Sequence, residues 1–274
     1  MGYLIRNDYK GLIQVDNLTA IIGNDSNVLT ANESRAIEEV SSYLRNRFDV
    51  AQEFTDTTLY AYGTTRSAKN RVYLDAAAYS ATSTYTLNSL VLYNGYVYRC
   101  STAVTVAEAW NAAKWTVIGQ QYAIFYIKLP YDEFVYETQY STGDTVWYKD
   151  KTYIATHDTL GEFPDKTPST WGSGTTYTVA GSVWPTDTSK WTAGDNRSPQ
   201  ILGYLIDIVL YHIHSRIAPM NIPSLRVKRY DDAISWLKKA NISTDITASI
   251  PKIQPKTSAR ILWGSTLPKQ DNNF

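Results

Sequence analysis

Three histidines, one cysteine and three pairs of adjacent acids are the residues on which chemistry could be built. His212 and His214 lie two apart in an apolar stretch that reads as helix, so they point in different directions and cannot grip one metal as an i, i+4 pair would. His157 stands alone in a β-rich region, and structural roles fit all three histidines better than ligand roles. A single cysteine, Cys100, excludes an intrachain disulfide framework and a multi-thiolate metal site. Flanking an aromatic strand pattern, it reads as a small buried hydrophobe. Glu38-Glu39, Asp132-Glu133 and Asp231-Asp232 offer the two carboxylates that glycoside cleavage requires, but adjacent acids usually face solvent on a helix or turn. Neither a G-x-S-x-G elbow, a P-loop, an H-E-x-x-H motif nor a dinucleotide fingerprint occurs. The expectation is a chain with no catalytic residues, no cofactor and no metal, and therefore not an enzyme.

Two other groups of residues suggest binding. The run Arg226-Val227-Lys228-Arg229-Tyr230 could meet an acidic protein surface or DNA phosphates, or form a solvated face beside Asp231 and Asp232. Overall charge is zero, with 26 basic and 26 acidic residues, so DNA has little long-range attraction and a protein contact is favoured. The charge is unevenly spread: residues 195–274 hold 11 Lys and Arg against 6 Asp and Glu, whereas the rest is acidic. The second group is aromatic. Between positions 78 and 194 lie 13 of the 22 tyrosines and six of the eight tryptophans. Such rings either form platforms for sugars and partner proteins or fill the cores of very small domains. Tyr93, Tyr98, Tyr148 and Tyr153 alternate within strands and suit core or cross-strand packing. Trp147, out of phase with Val146 and Tyr148, is the better candidate for an exposed face.

The elements that must position these residues are of two kinds. Thr30-Ala31-Asn32-Glu33 spells a capping box, and Ile37, Val40, Leu44 and Phe48 follow at helical spacing. Upstream, Leu12-Ile13 and Leu18-Ile21-Ile22 before Gly23-Asn24-Asp25 suggest a short helix and a turn. Ser198 and Pro199 start a second long helix, apolar on nearly every side from Ile201 to Ile213, which predicts burial by its own domain and by neighbouring subunits. Pro223 and Ser224 introduce a third, over residues 225–240. Within the aromatic region, Tyr85-x5-Val91-x-Tyr93-x4-Tyr98 recurs 55 residues later as Tyr140-x5-Val146-x-Tyr148-x4-Tyr153. Each copy predicts a β-hairpin, the first turning at Asn94-Gly95. The fold class is α+β: a helical domain (1–77 and 195–244) interrupted by β modules at 78–131 and 132–194, then an extended arm at 245–274 with a short strand near Arg260–Trp263. No secretion signal or membrane span is expected, so the chain reads as made in a reducing cytoplasm.

The helical residues resemble the head-tail connector, or adaptor, proteins of tailed bacteriophages. The similarity lies in Asp195-Asn196-Arg197-Ser198-Pro199-Gln200-Ile201, in Asp207-Ile208-Val209-Leu210-Tyr211-His212, in Arg216-Ile217-Ala218-Pro219-x-Asn221-Ile222-Pro223, and in Arg226 to Leu237. Ala36-Ile37-x2-Val40-x2-Tyr43-Leu44-x2-Arg47-Phe48 looks like the other helix of that family. The closing Trp263-Gly264-Ser265-x2-Pro268-Lys269-Gln270-x-Asn272 is similar to tails of such proteins from crAss-like and other Bacteroidetes phages. The resemblance implies a homo-oligomeric ring, typically of twelve subunits, in the virion neck. Its partners would be the portal protein and the tail and neck ring proteins, with DNA passing through the lumen and no membrane contact. Assembly would take place in the host cytoplasm. Leu205, Val209, Arg216, Arg226, Lys228, Arg229, Tyr230 and Trp263 are the expected interface residues. The second module, from Tyr140 through Trp171, resembles small chitinase-type carbohydrate-binding modules, which makes Trp147 and Trp171 candidates for docking a glycan or a protein. A carbohydrate-binding or host-attachment virion protein on an oligomerising helical base is the alternative.

Overall fold

The computed structural model describes residues 2–217, 220–242, 250 and 253 of the 274-residue chain. The arm at 245–274, apart from Ile250 and Ile253, and with it Trp263, lies outside the described residues. Five α-helices are formed: α1 (Val15–Ile21), α2 (Ser26–Leu44), α3 (Val50–Glu53), α4 (Pro199–Ile217) and α5 (Ser224–Ile242). Helix α2 begins four residues before the expected capping box, because the Asp25 side chain accepts from the backbone N–H of Asn27 (2.9 Å) and caps that earlier turn. Leu29, Glu33, Ala36, Val40 and Leu44 then lie along its buried stripe. Helices from opposite ends of the chain share one core, in which Leu18, Ala36, Val40 and Leu44 meet Ile201, Leu205, Ile208, Val209, Ala233 and Leu237. Ile250 is buried against it, and the Ile253 N–H donates to the carbonyl of Arg47 (3.1 Å).

Among the described residues, fourteen short strands lie between α3 and α4. The first seven are β1 (Thr57–Leu59), β2 (Arg66–Ser67), β3 (Arg71–Tyr73), β4 (Leu90–Tyr93), β5 (Tyr96–Cys100), β6 (Trp115–Gln120) and β7 (Ile124–Ile127). The rest are β8 (Gln139–Tyr140), β9 (Thr145–Tyr148), β10 (Lys151–Ile154), β11 (Thr159–Leu160), β12 (Thr175–Thr176), β13 (Thr178–Val179) and β14 (Trp191–Ala193). They do not all belong to the two modules. Strands β1, β3, β7 and β14 form a central four-stranded sheet, and β2 pairs with β13 beside it. Residues 57–73 are thus not part of the helical domain, nor are 124–127 and 177–193 part of the modules. Their apolar residues, among them Val72, Leu74, Phe125, Ile127, Val179 and Trp191, form a separate core together with Val97 of β5 and Ile118 of β6.

Both hairpins form, and the 55-residue displacement holds atom for atom. Val91 pairs with Tyr98 and Val146 with Tyr153. Backbone bonds Tyr79 N to Leu92 O and Asn88 N to Cys100 O recur as Phe134 N to Trp147 O and Gly143 N to Ala155 O. The Tyr85 hydroxyl bonds the backbone of Ser80, as the Tyr140 hydroxyl bonds that of Val135. Trp115 and Trp171 cap equivalent clusters, packing edge-on to Tyr79 and Tyr85 and to Phe134 and Tyr140. The second repeat closes with β12, which pairs with β10, well before position 194.

Candidate functional site

The stretch Asp195-Asn196-Arg197-Ser198 is a structural lock where the helices meet the central sheet. Arg197 donates to both carboxylate oxygens of Asp8 (2.7 and 2.9 Å), to Asp195 (2.8 and 2.9 Å) and to the carbonyl of Tyr3 (2.8 Å). All five guanidinium N–H groups are thereby used, leaving none for a ligand. Burial alone would lower its pKa, but the bonds to Asp195 and Asp8 outweigh that and leave it raised. Beside it, Arg71 of β3 holds the Asn196 side chain (2.6 Å) and the carbonyls of Glu53 and Thr55. Glu53 in turn accepts from the Tyr3 hydroxyl (2.6 Å) and from the N–H of Ser198 (3.1 Å).

A second polar centre joins the three long helices. Glu39 of α2 accepts from the Tyr230 hydroxyl of α5 (2.6 Å) and lies 2.8 Å from Nε2 of His212 on α4. Burial lowers the His212 pKa and exceeds the opposing pull of Glu39, which favours a neutral imidazole donating its Nε2–H to the carboxylate. His214 instead bonds the carbonyl of Leu210 through Nδ1 (2.7 Å). Glu39 therefore departs from the expectation for adjacent acids, whereas Glu133 is exposed as expected while pairing with Lys69 (2.8 Å). Glu33, expected as the acid of a capping box, lies inside α2 and turns inward, as does Glu53, which the sequence did not single out. Glu33 was legible as a member of the Leu29, Ala36, Val40 stripe.

The expected interface residues divide. Leu205 and Val209 are 0 % exposed, covered by α2 and α5 of the same chain, so they cannot be a subunit surface. The all-round apolar character of α4 is explained within one polypeptide: α1 and α2 cover some of its sides and α5 another. Arg226 and Arg229 reach Asp207 of α4 at 3.6 and 3.4 Å, and Tyr230 is held by Glu39. Arg216 and Lys228 are exposed, and among the described residues neither has an ion-pair partner. They flank the α4–α5 connection, where Ile217, Met220, Leu225 and Val227 also face solvent.

The proposed docking aromatics are not on a surface. Trp147 and Trp171 are each 1 % exposed. Trp171 closes the module core, its indole N–H donating to the carbonyl of Glu162 (3.1 Å). Trp147 does face away from Val146, but that side of β9 is covered too, with Tyr177 edge-on at 6.5 Å. Its counterpart Leu92 packs on the central core in the same way. Strands covered on both faces defeat the alternation rule that assigned Trp147 to solvent. Among the described residues no cluster of His, Cys, Asp and Glu could hold a metal ion, and no helix is long and apolar enough to cross a membrane. Neither models of known protein families nor curated proteins yield a match to this chain.

Proposed function

We propose that this chain is a structural virion protein, one subunit of a homo-oligomeric ring, of about twelve copies by its resemblance, that joins portal and capsid to the tail. In that setting the β modules contact neighbouring virion proteins and DNA passes through the lumen. The observation that carries the proposal is the shared core of 30–48 and 198–240. These segments hold most of the resemblance, lie some 150 residues apart, and pack into one helical unit. The polar centres support it as well, because Arg197 and Glu39 spend their bonding capacity on joining elements. A carbohydrate-binding role loses the two tryptophans on which it rested, since both are buried. Electron microscopy of the negatively stained protein, alone and mixed with the portal protein, tests the proposal. Closed rings with a central hole are expected; a monodisperse monomer in both conditions would overturn it.

A further inference from the structure

The two β modules provide an internal control. They share hydrogen bonds, turn geometry and aromatic core, so whatever folding demands of one it demands of the other. Their charges nonetheless differ. Residues 77–120 carry 1 acid and 2 bases, whereas 132–172 carry 8 acids and 3 bases. Part of that difference sits on one small face. In the β8–β11 ribbon Thr159 pairs with Tyr140, both buried, and Leu160 with Gln139, both exposed. Glu137, in the turn before β8, and Asp158, next to Thr159 of β11, are exposed as well, and the Asp158 carboxylate accepts from the N–H and hydroxyl of Thr142 (2.8 and 3.2 Å). The equivalent residues of the first module, 55 positions earlier, are Thr82, Thr84, Ala103 and Thr105, all exposed and all uncharged. Asp158 serves the fold through Thr142, but within the second module no ion pair engages Glu137, and nothing in the fold of the first module calls for a counterpart of the 61 % exposed Leu160.

The α4–α5 connection is complementary. Ile217, Met220, Leu225 and Val227 are exposed there, and beside them Arg216 and Lys228 supply positive charge that no ion pair engages among the described residues. The connection lies a helix length, about 28 Å, from the lock at Ser198. Among the described residues no ion pair links it to the second module of its own chain.

From these two surfaces we propose a heterologous contact between copies: the outward face of β8–β11 in one chain seats on the α4–α5 connection of the next. Leu160 packs among the exposed apolar side chains, and Glu137 and Asp158 face Lys228 and Arg216. Two different patches meet, so the contact repeats head to tail and closes into a ring when the rotation allows. The inference rests on the ring reading above and names the faces that make the ring.

Charge exchange in the full-length protein tests it, with oligomer mass followed by light scattering across a concentration series at low salt. Glu137→Lys and Lys228→Glu alone are each expected to weaken self-association at least tenfold, and added salt to weaken the wild-type contact. The double variant is expected to recover most of the wild-type association. Both substitutions are at exposed positions, and circular dichroism checks that each variant keeps the wild-type fold. Rings that persist unchanged in both single variants would overturn this contact and leave the ring itself standing. Single variants that dissociate without recovery in the double would also overturn it. A wild-type chain that stays monomeric throughout, with or without portal protein, overturns both proposals.

Discussion

Glu33 is the residue whose ionisation most affects the fold. It lies on the buried stripe of α2 and accepts a hydrogen bond from the Tyr9 hydroxyl (2.7 Å). Burial pushes its carboxyl from the ordinary 4.5 to about 7, and the Tyr9 bond offsets only part of that rise. Between those two values the folded chain keeps a proton that the unfolded chain has released. The stabilisation is therefore complete below pH 4.5 and is lost as pH rises through 7. A separation of that size corresponds to at most about 3 kcal/mol. Glu33→Gln cannot titrate, so the stability of the wild type relative to this variant should fall by about 2–3 kcal/mol between pH 5 and pH 8. Urea unfolding of both proteins across that range checks it, and a difference independent of pH would contradict the buried, protonated carboxyl. His212 works in the opposite sense, since burial lowers its pKa and its contribution is lost as pH falls. Both proteins retain it, so the difference isolates Glu33.

At the scale of elements, the two hairpins meet the same backbone demand with different residues. Asn94 and Gly95 turn the first at φ 47° and 79°, and Lys149 and Asp150 turn the second at 45° and 64°. A primed turn needs both central residues left-handed, which Gly accepts freely, Asn and Asp more readily than other residues, and which costs a residue such as Lys about 1 kcal/mol. Gly is the preferred second residue of such turns, so Asp150→Gly should stabilise the second module slightly, by less than about 1 kcal/mol, seen as a raised midpoint in thermal unfolding followed by tryptophan fluorescence. Lys149 is better left in place, because it pairs with Asp165 (2.7 Å). The register of both hairpins was legible in the sequence because the spacing from Tyr85 to Tyr98 repeats without a gap from Tyr140 to Tyr153. The covering of their outer faces was not. Strands of two or three residues, such as β1, β2, β13 and β14, carry too little pattern to announce a sheet assembled from positions 57 to 193. Without that sheet, nothing in the local sequence tells that Leu92 and Trp147 point into a neighbouring layer.

For the whole molecule, the same limit decides where a surface lies. The apolar pattern of α4 correctly placed a helix at 199–217 and correctly required burial on nearly every side. Pattern alone does not say whether the cover comes from the same chain or another, and α1, α2 and α5 supply it from within. If the chain forms the proposed ring, stability and assembly should therefore separate genetically. Leu205→Ala removes a fully buried side chain and should cost about 2–5 kcal/mol, lowering the unfolding midpoint while the protein that remains folded keeps the wild-type oligomer mass. Lys228→Glu, on the exposed end of α5, should do the reverse: an unchanged midpoint when the two are compared as monomers, and a reduced mass. Thermal unfolding and sedimentation velocity on both variants distinguish the outcomes. If Leu205→Ala dissolved the oligomer below its unfolding transition, α4 would have to be in contact with a neighbouring subunit after all, and the single-chain core described above could not be the assembled state.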